Sequence, residues 1–188
     1  MWWRERRQGC ERTARLVVVL AAASLTAGCF EPLYGAHPSN GSESVRDKLA
    51  AVEIPVIHVP QGSPATRVAV ALRNALQYDL NGSAGASAPT HRLDINIGVG
   101  EITVVINPNT GRPETQIAGV SATYRLIEIA TSKIVVSDSA YARVSYDIPG
   151  QEQRFAAQRA QRDAEDRAVE TAAEAIRNRL ASYFVAGT

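Results

Sequence analysis

The chain has 188 residues, 45% of them hydrophobic, and its 20 Lys and Arg against 19 Asp and Glu give a formal net charge of +1. That length bounds the fold to one domain with a real core, and so even a charge excludes a nucleic-acid surface, which needs a strong basic excess. The cysteines are Cys10 and Cys29, too few for a disulfide framework or a Cys-based metal site.

The first residues have the parts of a secretory signal in order. Arg4, Arg6, Arg7, Arg12 and Arg15 form a positive start, and Leu16 to Ala23 is apolar without interruption. That run is well short of the ~20 residues a membrane-spanning helix needs. Small residues Ala27 and Gly28 precede Cys29 in Leu25-Thr26-Ala27-Gly28-Cys29. This run resembles a lipobox, whose cysteine receives acyl chains after the leader is cut away. Residues 1–28 are therefore expected to be a lipoprotein signal peptide and Cys29 a lipidated N-terminus at a membrane surface. An ordinary signal with a chance cysteine, or an internal apolar helix, is the alternative. Removing residues 1–28 also removes Cys10, so no thiol nucleophile is left for the mature domain.

From Phe30 to about Asp47 the chain is rich in Pro, Gly, Ser and Asn and has no periodicity. Residues 29–48 are expected to be a lipidated tether and 49–188 a single domain. Leu49 to Val59 reads as a first strand, with Pro55 arguing for an edge position or a bulge. Ser63-Pro64 reads as the cap and first residue of a helix. Val68, Leu72, Ala75, Leu76 and Leu80 carry its apolar face, and Asn81-Gly82 ends it.

Leu93, Ile95, Ile97 and Val99 alternate with polar residues or glycine, as in a half-buried strand. The apolar phase then moves to Ile102, Val104 and Ile106, which predicts a β-bulge beside Gly98 and Gly100. Asn107 to Pro113 is a turn. The next strand keeps Ala118, Val120, Ala122, Tyr124 and Leu126 on one face. After a turn at Ala130 to Lys133, the last keeps Ile134, Val136, Ala140, Ala142, Val144 and Tyr146, a face that Asp138 breaks. A long helix is expected from about Gln153 to Phe184. Val169, Ala172, Ala173, Ile176 and Leu180 lie on its buried side, and alanines 156, 160, 164 and 168 carry that side through its first half. Arg159–Asp163, Arg162–Asp166 and Asp163–Arg167 are spaced as i,i+4 ion pairs.

The order β-α-β-β-β-α implies an α+β two-layer sandwich, with two helices on one face of a four-stranded mixed sheet. The first crossover allows its strands to lie parallel. Counting reversals puts the Pro60–Ser63, Asn107–Pro113 and Asp147–Gln151 loops at one end. The Lys133 turn and the C-terminus fall at the other.

Known catalytic and cofactor motifs are missing from the sequence, so no cofactor, no metal site and no enzyme is expected. His37, His58 and His91 stand at no ligand spacing and read as surface residues. Asp94, Glu101 and Asp138 could form a carboxylate group, but alternation puts Asp94 on the outer face, against a catalytic pair. The uncovered sheet face is expected to carry Asp94, Asn96, Thr103, Ser121, Thr123, Arg125, Ser137, Ser139, Tyr141, Arg143 and Ser145. It is either a solvated face or a polar interface against a large hydrogen-bonding partner, such as a barrel lumen.

Three features resemble the LPS-assembly lipoprotein (LptE) family. They are Gly28-Cys29-Phe30-Glu31-Pro32-Leu33-Tyr34-Gly35, the helix text Leu72-Arg73-Asn74-Ala75-Leu76 followed by Leu80, and an element order closing with Ile176, Leu180 and Tyr183-Phe184. The glycine often found between the cysteine and the aromatic is absent. The resemblance implies a lipid-anchored protein on the periplasmic side of the cell outer membrane. Its partners would be lipopolysaccharide and an LptD-type β-barrel, which it plugs and helps assemble. It also implies contact with lipopolysaccharide through basic loop residues, for which position offers Arg112 and Lys133. The remaining alternatives are another lipoprotein binding module, for instance one for cell-wall polymer, and a lipid-anchored hydrolase.

Overall fold

In the computed structural model the described residues are 44–82, 88–148 and 154–186. They form α1 (Val45–Ala50), β1 (Val52–Glu53), α2 (Ala65–Asn81), β2 (His91–Ile106), β3 (Pro113–Glu128), β4 (Lys133–Asp147) and α3 (Arg154–Ala186). The leader, Cys29, His37 and the tether up to residue 43 lie outside them. The sheet order is β1-β2-β3-β4, with β1 parallel to β2 and the other neighbours antiparallel. This is the expected α+β architecture with one helix added at the start.

The added helix corrects the reading of Leu49–Val59 as a strand. Ser44 and Asp47 form a capping box, in which Asp47 N–H donates to Ser44 Oγ and Ser44 N–H to the Asp47 carboxylate, both at 3.2 Å. The chain coils there, inside the stretch read as tether, and carries Leu49 and Ala50 into the core. Only Val52–Glu53 pairs with β2. Pro55 has no N–H to continue a ladder. Ile54 and Ile57 are nevertheless buried, and Arg73 Nε of α2 satisfies the Ile54 and Pro55 carbonyls, each at 3.2 Å.

α2 begins and ends as expected. Ser63 Oγ accepts from Ala65 N–H at 3.2 Å, Pro64 already has helical angles, and Gly82 follows the last turn at φ 57°. Arg67 near its start pairs with Asp166 of α3 at 2.5 Å and with Glu165. The Arg162–Asp166 spacing is therefore overridden by a tertiary partner for Asp166, whereas Asp163–Arg167 forms at 2.9 Å. Tyr78 and Asp79 near its end share a groove with Glu174 and Arg177 of α3, so the two helices run parallel.

Their lengths divide the sheet into two parts. The 33 residues of α3 span about 50 Å. The 16 residues each of β2 and β3 span about the same. α2, with 17 residues, spans about 25 Å. Where both helices lie on the sheet, Leu72, Leu76, Leu93, Leu126, Ile176 and Leu180 are fully buried. Each is worth roughly 1.5–3 kcal/mol of burial. Beyond the start of α2 the buried cluster shrinks to Ala118, Tyr146 and Ala164.

His91, half-buried rather than on the surface, packs edge-on against Phe184 at 5.2 Å. The C-terminus of α3 is thus at the end where β2 begins. This basal end also holds the 129–132 turn, and the 107–112 hairpin loop is at the distal end. Because Arg67 meets Glu165, well inside α3, the Pro60–Ser63 loop stops short of the distal end, against the reversal count.

Two phase errors follow from bulges. β2 keeps one register with β3 from His91 to Thr103, and the shifts come at Val104 and at Ile106, not beside Gly98 and Gly100. Ile102, Val104 and Ile106 are consequently 50%, 54% and 58% exposed. In β4 a shift at Val135 turns Ile134 away from the core, 53% exposed, while Val135 packs against it.

Candidate functional site

The sheet face opposite the helices is covered by none of the described residues. Register assigns its rows. Asp94, Arg125 and Ser137 share one, Asn96, Thr123 and Ser139 the next, and Gly98, Ser121 and Tyr141 a third. Gly100, Gly119 and Arg143 follow, then Ile102, Ile117 and Ser145. Thr103, expected here, pairs with Gln116 on the helix side, because the bulge lies beyond it. Its Oγ1 accepts from Gln116 Nε2 at 3.3 Å.

The face is built from short hydrogen-bonding groups with one upright pair. The Arg143 guanidinium lies over the Tyr141 ring, 4.6 Å from its centroid, and Arg143 Nε also donates to the Tyr141 hydroxyl. Ser121 Oγ donates to the Gly98 carbonyl at 3.2 Å. Gly100 leaves the floor beside that pair bare, since a Cβ there would meet nothing within 4 Å, whereas Ser121 Oγ covers Gly98 and the Tyr141 hydroxyl borders Gly119. A partner can therefore approach the backbone closely there. Such a surface can hydrogen-bond a broad polar partner.

The carboxylates read from sequence do not converge. Asp94 faces out on the open side. Glu101, on the helix side, takes a hydrogen bond from the Tyr146 hydroxyl at 2.9 Å, and Gln116 Oε1 lies 2.7 Å from the same oxygen. Burial, and then the bond and charge of Glu101, push the Tyr146 phenol well above its ordinary pKa. Asp138 accepts from Arg179 Nε at 3.2 Å and from its neighbour Ser139 N–H at 2.7 Å. The break in the β4 pattern is thus a tie to α3. Asp138 also helps burial raise the Tyr124 phenol to about 12. No cluster of His, Cys, Asp and Glu able to hold a metal ion occurs among the described residues. Nor is any described helix long and apolar enough to cross a membrane.

The basic loop candidates are not brought together. Arg112 closes the distal hairpin, where Asn107 Oδ1 accepts from Asn109 and Thr110 N–H at 2.9 and 3.2 Å and Gly111 takes φ 68°. Lys133 opens β4 at the basal end after Ser132, which takes φ 55°. Both are exposed, and the length of β3 separates them by about 50 Å. The exposed apolar run at the end of β2 was hidden in sequence, because its periodicity looks like a core strand and only the pairing register reveals otherwise.

The fold and the open face define a small α+β module with one helix-packed and one polar sheet surface. The chain belongs to the LptE family, described as lipopolysaccharide-assembly, whose sequence model matches residues 49–180. Solved structures are similar to this chain. One, described as a candidate lipoprotein from Caulobacter crescentus CB15, is 22% identical with a TM-score of 0.58, covering 76% of this chain and 96% of its own. Rare lipoprotein B from Shewanella oneidensis is 17% identical at a TM-score of 0.49, covering 71% and 96%. A lipoprotein B from Nitrosomonas europaea is 14% identical at 0.47, covering 81% and 95%. No curated protein matches the sequence.

Proposed function

We propose that this chain is an outer-membrane lipoprotein that sits in the lumen of an LptD-type β-barrel, helps it assemble and assists delivery of lipopolysaccharide to the outer leaflet. The observation that carries the reading is the family match over residues 49–180. The open sheet face supports it, since hydroxyls, amides and small residues suit the polar interior of a large barrel. In this reading residues 1–28 are a signal peptide, acylated Cys29 holds the chain on the periplasmic side of the outer membrane, and the following residues tether the domain of residues 49–188. The protein acts as a partner and not as an enzyme.

Arg112 and Lys133 are proposed as lipopolysaccharide contacts because a guanidinium or ammonium forms charge-assisted bonds to phosphate. At opposite ends of β3 they would act as separate contacts. The test is purification of the tagged chain from membranes. A barrel protein is expected with it in near-equal amount, and depletion of the chain should lower assembled barrel and surface lipopolysaccharide together. Mass spectrometry of the native product should find acylated Cys29 as the first residue. An unacylated chain that keeps its leader would defeat the anchor. Recovery without a barrel would defeat the plug.

A further inference from the structure

We infer that the outer edge of β2, from Val99 to Thr103, is a docking lane where an extended segment of the barrel partner adds a fifth strand to the sheet. The identity of that partner rests on the proposed function.

The direction of the backbone groups can be worked out. His91 N–H points to β1, where it donates to Ala51 O at 3.3 Å, while Thr90 O accepts from Ile129 N–H at 3.0 Å on the β3 side. These groups alternate along a strand. Val99, Glu101 and Thr103 therefore turn N–H and C=O away from β3. β1 ends opposite Arg92, and no backbone bond from the described residues reaches the three further along.

The opposite edge of the sheet is guarded. On β4 the same alternation turns Ser139 outward, but Asp138 Oδ1 occupies its N–H at 2.7 Å. Val135 bulges and Lys133 heads the strand. These are devices that stop edges from pairing. β2 has neither proline nor cation from Leu93 to Ile106, and its irregularity begins only past Thr103. It then exposes Ile102, Val104 and Ile106. An unguarded apolar edge of this kind is a liability unless it is covered.

Only an extended backbone matches such a row of donors and acceptors. Charge selects its source. The charged residues from Leu93 to Ile106 are Asp94 and Glu101, so pairing with a second copy would gather carboxylates. A segment with apolar residues and Lys or Arg complements the lane.

Val99→Pro and Thr103→Pro each delete an outward N–H and put a ring into the lane, leaving the bonds to β3 intact. The tagged full-length variants are expected to melt within about 5 °C of wild type, roughly the shift of a small stability change. They should recover the barrel at least about tenfold less well from membranes, which is about 1.4 kcal/mol of affinity. A photocrosslinker at Thr103 should join the chain to the barrel. If wild type recovers the barrel and both lane variants recover it equally, the docking lane is wrong and the plug stands. If wild type recovers none, the plug reading falls and the lane with it. Crosslinking of Thr103 to a second copy would also overturn the assignment.

Discussion

The basal and distal halves of the sheet use the same strands and are held in different ways. In the basal half two helices press leucines and isoleucines against Leu93 and Leu126, all fully buried. In the distal half only the alanines of α3 approach, and the anchor is Tyr146 with its hydroxyl bonded to Glu101. On the helix side the same β2 is core at Leu93 and exposed at Glu101 and Thr103. Burial thus depends on what lies above the strand as well as on the alternation of its residues. The basal half supplies stability, and the distal half projects a loop and an edge that the fold itself does not consume.

The contrast predicts a large difference between two truncations in one strand. Leu93→Ala should cost about 2–5 kcal/mol in denaturant unfolding, the range for an emptied core site. Thr103→Ala, on the same helix side, should stay within about 0.5 kcal/mol, as surface changes do. Equal losses would mean that both halves are core.

Tyr146→Phe probes the distal anchor and should cost about 1–2 kcal/mol, since it removes a hydroxyl shared by Glu101 and Gln116. Its pH dependence has a definite sign. Tyr124 and Tyr146 both have folded pKa values raised above 10, Tyr124 to about 12. Their neutral forms therefore contribute stability that is fully present below pH about 10 and lost as pH rises through the folded values. Thermal melts from pH 8 to 11.5 should show a falling midpoint, and the fall should be shallower in Tyr146→Phe. A flat profile in wild type would remove the argument.

The smallest effect is expected at the guarded edge. Asp138→Ala loses a half-exposed pair with Arg179, worth at most about 1 kcal/mol. It also frees Ser139 N–H, so sedimentation should detect more self-association than in wild type. A strictly monomeric variant would show that Asp138 guards nothing.

Much of the fold was legible because it is written in local signals. Ser63-Pro64, Asn81-Gly82 and the alternation around Val120 and Ala140 each mark an element from its neighbours alone. Leu49–Val59 misled because β-branched residues suggest a strand, whereas the Ser44–Asp47 capping box decides where the chain coils. Among the site residues, Arg112 lies in its loop as expected and Lys133, read as a turn residue, instead opens β4, but sequence could not say that a full strand length lies between them. The open face was read correctly except at Thr103.

By itself the sequence determined the α+β class, the helix ends and most of the facing of β3, since these follow from side-chain periodicity and backbone chemistry within a few residues. Only the tertiary structure decided the positions of the bulges, the role of Asp138 and the unequal edges. Those depend on which residue of one strand stands opposite which of another, and pairing between distant segments leaves no local trace.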